Sequence, residues 1–228
     1  MLIAALDSTA VTASCAVAEI NDNKLITYSL FTVKNKLTHS EILLPLLENA
    51  LKQYGASIGD IDLFAVSAGP GSFTGVRIGA STVKGLAFAE NKPCVAVSSL
   101  EAMSKNVGRG YVLPVMDARR DQFYNAIFKD GQRITEDSAK SFDEIFDEIK
   151  NLPEVTVCGD GMDKFISMCG DVENVFPASY AAADQNAISV ALIGYEKYVN
   201  GENVSAKELQ PIYLRMPQAE RERLERMK

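Results

Sequence analysis

Ser67-Ala68-Gly69-Pro70-Gly71-Ser72-Phe73-Thr74-Gly75-Val76-Arg77-Ile78-Gly79 is the most informative run in the chain. It follows an apolar stretch, Leu63-Phe64-Ala65-Val66, that reads as a buried strand, and it leads into a small-residue helix. A strand, a glycine turn and a helix N-terminus converge free backbone N–H groups and the positive dipole end on one point, which suits an anion. The glycines continue beyond the turn. Gly71, Gly75 and Gly79 recur every four residues and lie along one helical ridge. Glycine inside a helix costs roughly 1 kcal/mol against alanine, so the repeat points to close packing. The ridge either closes the chain's own core or admits a partner helix.

Working outward, residues 2–6 form an apolar strand ending in Asp7-Ser8-Thr9. Residues 13–20 and 24–33 add two strands around an Asn21-Asp22-Asn23 turn. A helix is expected from Thr38, with Glu41 completing a capping box, Leu37 and Ile42 a hydrophobic staple, and Gly55 the stop. Pro45 should bend it. Its apolar positions make a double stripe, wider than one core face needs. The strand at 60–68, the glycine motif with a helix over 72–90, a strand at 93–98 and a helix capped by Ser99 complete the first half.

The order then repeats. Residues 111–117 form an apolar strand ending in Asp117; 122–129 and 132–135 form a hairpin about Asp130-Gly131. A helix over 141–150, a strand over 155–158 ending at Gly159-Asp160-Gly161, a helix over 162–169, a strand at 172–175 and a helix over 187–200 follow. The tail from 219 is charged and reads as helical or frayed. Asp7 and Asp117 thus occupy equivalent places, as do the two glycine turns. The expected fold is α/β: a duplicated βββαβα unit of the actin-like and sugar-kinase-like (ASKHA) kind, in two lobes. The first lobe is expected over 1–100, with 205–228 packing back on it, and the second over 101–204.

Composition narrows the function. The chain has 228 residues, 47% hydrophobic, with a net charge of −7. An acidic chain gains nothing from neutralising phosphates, which disfavours direct nucleic-acid binding. The N-terminus has no signal-peptide pattern and no apolar run spans a membrane. Four scattered cysteines without a Cys-x-x-Cys pair suit reduced thiols in a cytoplasmic protein. Ser72 stands outside any Gly-x-Ser-x-Gly elbow, and His39 is the sole histidine, so no hydrolase triad assembles.

The glycine motif closely resembles the signature of the TsaB (YeaZ) family. So do Thr38-His39-Ser40-Glu41-Ile42-Leu43-Leu44-Pro45, Asp117-Ala118-Arg119-Arg120-Asp121-Gln122-Phe123-Tyr124 and the C-terminal Pro211-Ile212-Tyr213-Leu214-Arg215. The resemblance runs from Asp7 to Arg215. It implies a role in making N6-threonylcarbamoyladenosine in tRNA, as a scaffold without transferase chemistry. The implied partners are a paralogous transferase, TsaD, and an ATPase, TsaE, with a homodimer in isolation and tRNA met only through the complex. The family-motif residues are His39, Glu41, Pro70, Ser72, Phe73, Thr74, Arg77, Arg119 and Arg120. The transferase paralogue pairs two metal-binding histidines one helical turn apart. Here Leu43 stands four residues after His39, so no metal site is expected.

Asp7, Ser8, Thr9, Gly69, Gly71 and Asp117 read as a vestigial nucleotide cleft. Asp7-Ser8-Thr9 lacks the adjacent glycine that a phosphate needs, so no cofactor is expected beyond weak nucleotide binding. The expected partner face is Leu43, Leu47, Leu51, Gly75, Val76, Gly79 and Val83, on the two consecutive helices of the first half. Two rival readings are an independent phosphotransferase or ATPase of the same fold, and an inactive peptidase-like regulatory homodimer.

Overall fold

The computed structural model describes residues 1–35 and 39–215. The expected cap at Thr38, the staple residue Leu37 and the tail from 219 lie outside the described residues. The first half runs β1 (Leu2–Asp7), β2 (Thr12–Asn21), β3 (Lys24–Lys34), α1 (His39–Tyr54), β4 (Leu63–Gly69), α2 (Phe73–Glu90), β5 (Cys94–Ser98) and α3 (Ser99–Val107). The second runs β6 (Tyr111–Asp117), β7 (Gln122–Asn125), β8 (Phe128–Lys129), β9 (Gln132–Arg133), β10 (Ser138–Ser141), α4 (Phe142–Ile149), β11 (Val155–Cys158), α5 (Met162–Cys169), β12 (Val175–Pro177), α6 (Tyr180–Ala183) and α7 (Ala187–Val199).

The two sheets share one topology. Strand order is β3-β2-β1-β4-β5 in the first and β10-β7-β6-β11-β12 in the second, with β8 and β9 as a side hairpin. In each, an antiparallel meander joins a parallel pair through the strand that ends in aspartate. The expected single strand over 122–129 is broken at Ala126-Ile127, where the chain leaves β7 and pairs instead as β8 with the start of β6. The sequence reading also missed β10, a four-residue edge strand of mostly small or polar residues. The cap of α3 is Ser98, whose Oγ accepts from Glu101 N at 3.3 Å, one residue before the expected Ser99.

β1 is buried on both faces, as a central strand under two helix layers must be. Ala4 and Leu6 meet α1 and α2; Ile3 and Ala5 meet α7. The period of two assigns each residue its layer. The α7 side of the sheet is lined by Ala5, Ala16, Ala18 and Ala65, and their small size lets the helix lie close. A Cβ on Gly194 of α7 would stand 2.7 Å from that of Ala65.

This packing corrects the linear division of the lobes. α7, expected in the second lobe, covers the first sheet, while Met103 of α3 enters the core of the second lobe as its place after residue 100 implies, together with Leu100 at the boundary. The first lobe thus takes one helix layer from the second half. The chain after α7 returns to the first lobe, where Val204 bridges Cys94 and Leu209 is fully buried. All four cysteines are free, and burial pushes the Cys158 thiol up to about 12. Among the described residues no helix is long and apolar enough to cross a membrane.

Candidate functional site

A cleft of about 700 Å³ opens between the lobes. Thr9, Ala10 and Val11 of the β1–β2 loop, and Pro70 to Thr74 at the start of α2, form its first lip. Met116 to Arg120 at the end of β6, with Tyr124 and Asp160, form the second. Ile212 to Arg215 run along it.

The strand-end aspartate of the first lobe does not reach this space. Asp7 is fully buried, and its carboxylate accepts from Thr9 N at 2.9 Å, Thr9 Oγ1 at 2.7 Å and Ser67 Oγ at 2.5 Å. Burial raises its pKa, and the three hydrogen bonds partly offset that rise. Ser8 is also fully buried and donates to the Gly75 carbonyl at 2.9 Å. Of the expected cleft residues, Thr9, Gly71 and Asp117 line the cleft. Asp7 and Ser8 lie beneath its floor, and Gly69 is covered by the Ile212 carbonyl, which would collide with a side chain there.

The glycine ridge also turns inward. A Cβ on Gly75 would run into the Ser8 carbonyl, and one on Gly79 would lie 2.8 Å from Ser8 Oγ. A Cβ on Gly71, at φ 157°, would strike the Thr9 carbonyl. The ridge is what lets α2 lie directly on the end of β1. The expected partner face is corrected accordingly: Leu43, Leu47, Gly75, Val76, Gly79 and Val83 are buried in their own lobe, and Leu51 is half-buried. The double stripe of α1 is consumed by β2 and β3 beneath it and by α2 beside it. The outward residues of α1 include Leu44, Pro45 and Glu48; those of α2 are Thr74, Arg77, Ser81, Gly85, Phe88 and Ala89. A Cβ at Gly85 meets nothing within 4 Å.

Ser72 caps α2, its Oγ accepting from Gly75 N at 3.3 Å while its own N–H donates to the Thr9 carbonyl at 2.6 Å. His39, at the start of α1, donates from Nε2 to the Ala10 carbonyl, while its Nδ1 is buried without a partner. With the proton on Nε2, the lone pair of the neutral ring is on the enclosed Nδ1. Among the described residues no group of three or more His, Cys, Asp or Glu side chains is placed to hold a metal ion. Glu41 is exposed in the first turn of α1.

On the second lip, Arg119, Arg120 and Asp121 have φ of 61°, 53° and 55°. Three successive non-glycine residues in the left-handed region are uncommon. Asp117 accepts from Arg119 N at 2.8 Å and holds the turn. The turn puts Arg119 and Arg120 at the cleft, exposed. Asp160, not among the site residues expected from the sequence, lines the same cleft. Its side chain is open to the cleft yet enclosed by protein on most sides. That enclosure, with Asp117 and Asp184 nearby, pushes its carboxyl up to about 7. Its place between Gly159 and Gly161, matching Pro70 between Gly69 and Gly71, was the available signal.

Two matched strand–glycine turn–helix units facing one cleft make this a duplicated actin-like α/β protein. The solved YeaZ of Pseudomonas aeruginosa superposes with a TM-score of 0.74 at 23% identity, over 93% of this chain and 99% of that one. A family model described as "TsaD: tRNA N6-adenosine threonylcarbamoyltransferase" matches residues 34–206. The Bacillus subtilis "tRNA threonylcarbamoyladenosine biosynthesis protein TsaB" is 30% identical over the whole of both chains. Its Haemophilus influenzae namesake is 29% identical over 78% of this chain and 80% of that one. The chain belongs to the TsaB (YeaZ) family.

Proposed function

We propose that the chain is the non-catalytic activating subunit of tRNA N6-threonylcarbamoyladenosine synthesis. It binds the transferase TsaD and, with it, the ATPase TsaE, and it meets tRNA only through that assembly. In isolation it pairs with a second copy. The observation that carries the non-catalytic reading is the state of Asp7. A carboxylate with no exposed surface and three internal donors is a brace for the β1 end and has no access to a substrate or a metal–phosphate group.

The docking face rests on the same two helices as the sequence reading but on their other sides. Ser81, Gly85 and Ala89 form an outward small-residue stripe at helical spacing, beside Ile78, Leu86 and the 65%-exposed Phe88. Leu44 of α1 adds exposed apolar surface. A paralogue of the same fold presents an equivalent pair of helices, so one face serves both the homodimer and the heterodimer.

The test is to mix the chain with TsaD, TsaE, threonylcarbamoyl-adenylate and tRNA. Modified-nucleoside yield should rise on addition of the chain. Gly85→Arg should abolish that rise and complex formation by light scattering, while circular dichroism stays unchanged. A complex that survives Gly85→Arg would place the interface elsewhere. The alternative reading, nucleotide binding in the cleft, draws on the exposed Arg119 and Arg120 opposite the α2 N-terminus. Titration calorimetry with ATP and magnesium on the isolated chain decides it: micromolar binding with turnover favours an ATPase.

A further inference from the structure

The segment after α7 does more than return the chain to the first lobe. Residues 204–209 are fastened to the first lobe by the Cys94–Val204 bridge, by buried Leu209 and by Lys84 Nζ, which donates to the carbonyls of Lys207 and Leu209 at 3.3 and 3.1 Å. From that anchor, residues 211–215 run across the mouth of the cleft. Ile212 N donates to the Ala68 carbonyl at 2.7 Å. The Tyr213 ring stacks on Phe73 with centroids 4.7 Å apart. The Arg77 guanidinium lies 3.9 Å from the centre of the Phe73 ring, and its Nε donates to Tyr213 Oη at 2.9 Å. Two residues on, Arg215 Nη1 donates to the Ala118 carbonyl at 2.9 Å, and Ala118 follows β6 in the second lobe. One short segment is therefore bonded to both lips.

We infer that residues 211–215 are a latch closing the inter-lobe cleft, caught on the first lip by Arg77 and Phe73 and on the second by the Ala118 carbonyl. α3 and α7 join the lobes away from the cleft, since neither lines it. The molecule thus has a fixed back and a front held by this segment. The latch is built for release. Among the described residues its hydrogen bond to the second lobe is the side-chain one from Arg215, and its catch on the first, Arg77, is exposed on the outward side of α2. The device belongs to the chain alone and does not depend on the docking reading above.

The test is hydrogen–deuterium exchange on the full chain, comparing wild type, Tyr213→Ala, Arg215→Ala and the double variant. Arg215→Ala touches only the second lip, yet it should speed exchange in residues 70–77 by about three- to tenfold, as for loss of one hydrogen bond. Tyr213→Ala touches only the first lip and should do the same in residues 117–122. The double variant should exceed neither single one at its more affected lip, because either break opens the same latch. Tyr213→Phe keeps the ring stack and should speed exchange at 117–122 by less than Tyr213→Ala. Effects confined to the lip that each variant touches, or additive in the double variant, would overturn the inference.

Discussion

Asp7 and Asp117 end equivalent strands in equivalent sheets, and each accepts the N–H two residues on, at 2.9 and 2.8 Å. Their surroundings then part. Asp7 gains Thr9 Oγ1 and Ser67 Oγ and loses all contact with solvent. Asp117 is 45% exposed, with Lys164 at 3.8 Å as its further partner. The same local turn has become a structural rivet in one lobe and a cleft-lining group in the other. Duplication preserved the backbone frame, and neighbouring hydroxyls decided the chemistry.

That contrast can be broken by mutation. The largest effect is expected beneath the first aspartate. Gly75→Leu forces a side chain into the Ser8 carbonyl and should cost about 3 kcal/mol or more, unfolding much of the chain in a urea titration. Asp7→Ala leaves buried hydroxyls without an acceptor and should cost about 1–3 kcal/mol in the same measurement. Asp117→Ala should stay within about 0.5 kcal/mol of wild type. Equal losses at the two aspartates would erase the distinction between them.

A pH experiment sharpens the contrast further. Asp160 rises from the ordinary 3.8 to about 7, and Asp7 is raised as well. Both carboxyls hold their proton more tightly in the folded chain than in the unfolded one. Their contribution to stability is therefore greatest at acid pH and declines as pH rises between those limits, because the folded state must then bear the enclosed charge. Asp160→Asn should flatten that decline when denaturation midpoints are compared from pH 4 to 7. The change should fall short of the full shift, because the side chain is open to the cleft. The effect of opposite sign is expected at Gly85. Gly85→Ala, on an open helical surface, should stabilise the chain by up to about 1 kcal/mol in thermal melts.

The order of elements and the duplication were legible because periodicity and turn residues are local signals. What residues 71–79 touch was not. A glycine every four residues announces a close approach, but its partner, the carbonyl of Ser8, is 67 residues away from Gly75 in the chain. The same holds for the stripe on α1: Leu43 and Leu47 announce a buried face without saying which surface buries them. Asp7 was read as a cleft residue because its strand-end position suits one. Ser67, which seals it, is visible in the motif but speaks for that role only once β4 lies beside β1. The placing of α7 escaped the sequence for a related reason. Its apolar face fits either sheet, and chain order is a poor guide to which one it covers.

That placing carries a consequence for how the chain is made. By the time β5 leaves the ribosome at Ser98, all five strands of the first sheet exist, but one face of it is bare. Its cover, α7, ends at Val199, roughly 100 residues and, at usual translation speeds, about 5–20 s later. Through that interval Ile3, Ala5, Val95 and Val97 wait uncovered. The first sheet therefore completes its packing only when the end of the second half has been made, so the halves are synthesised in sequence but finish their cores together.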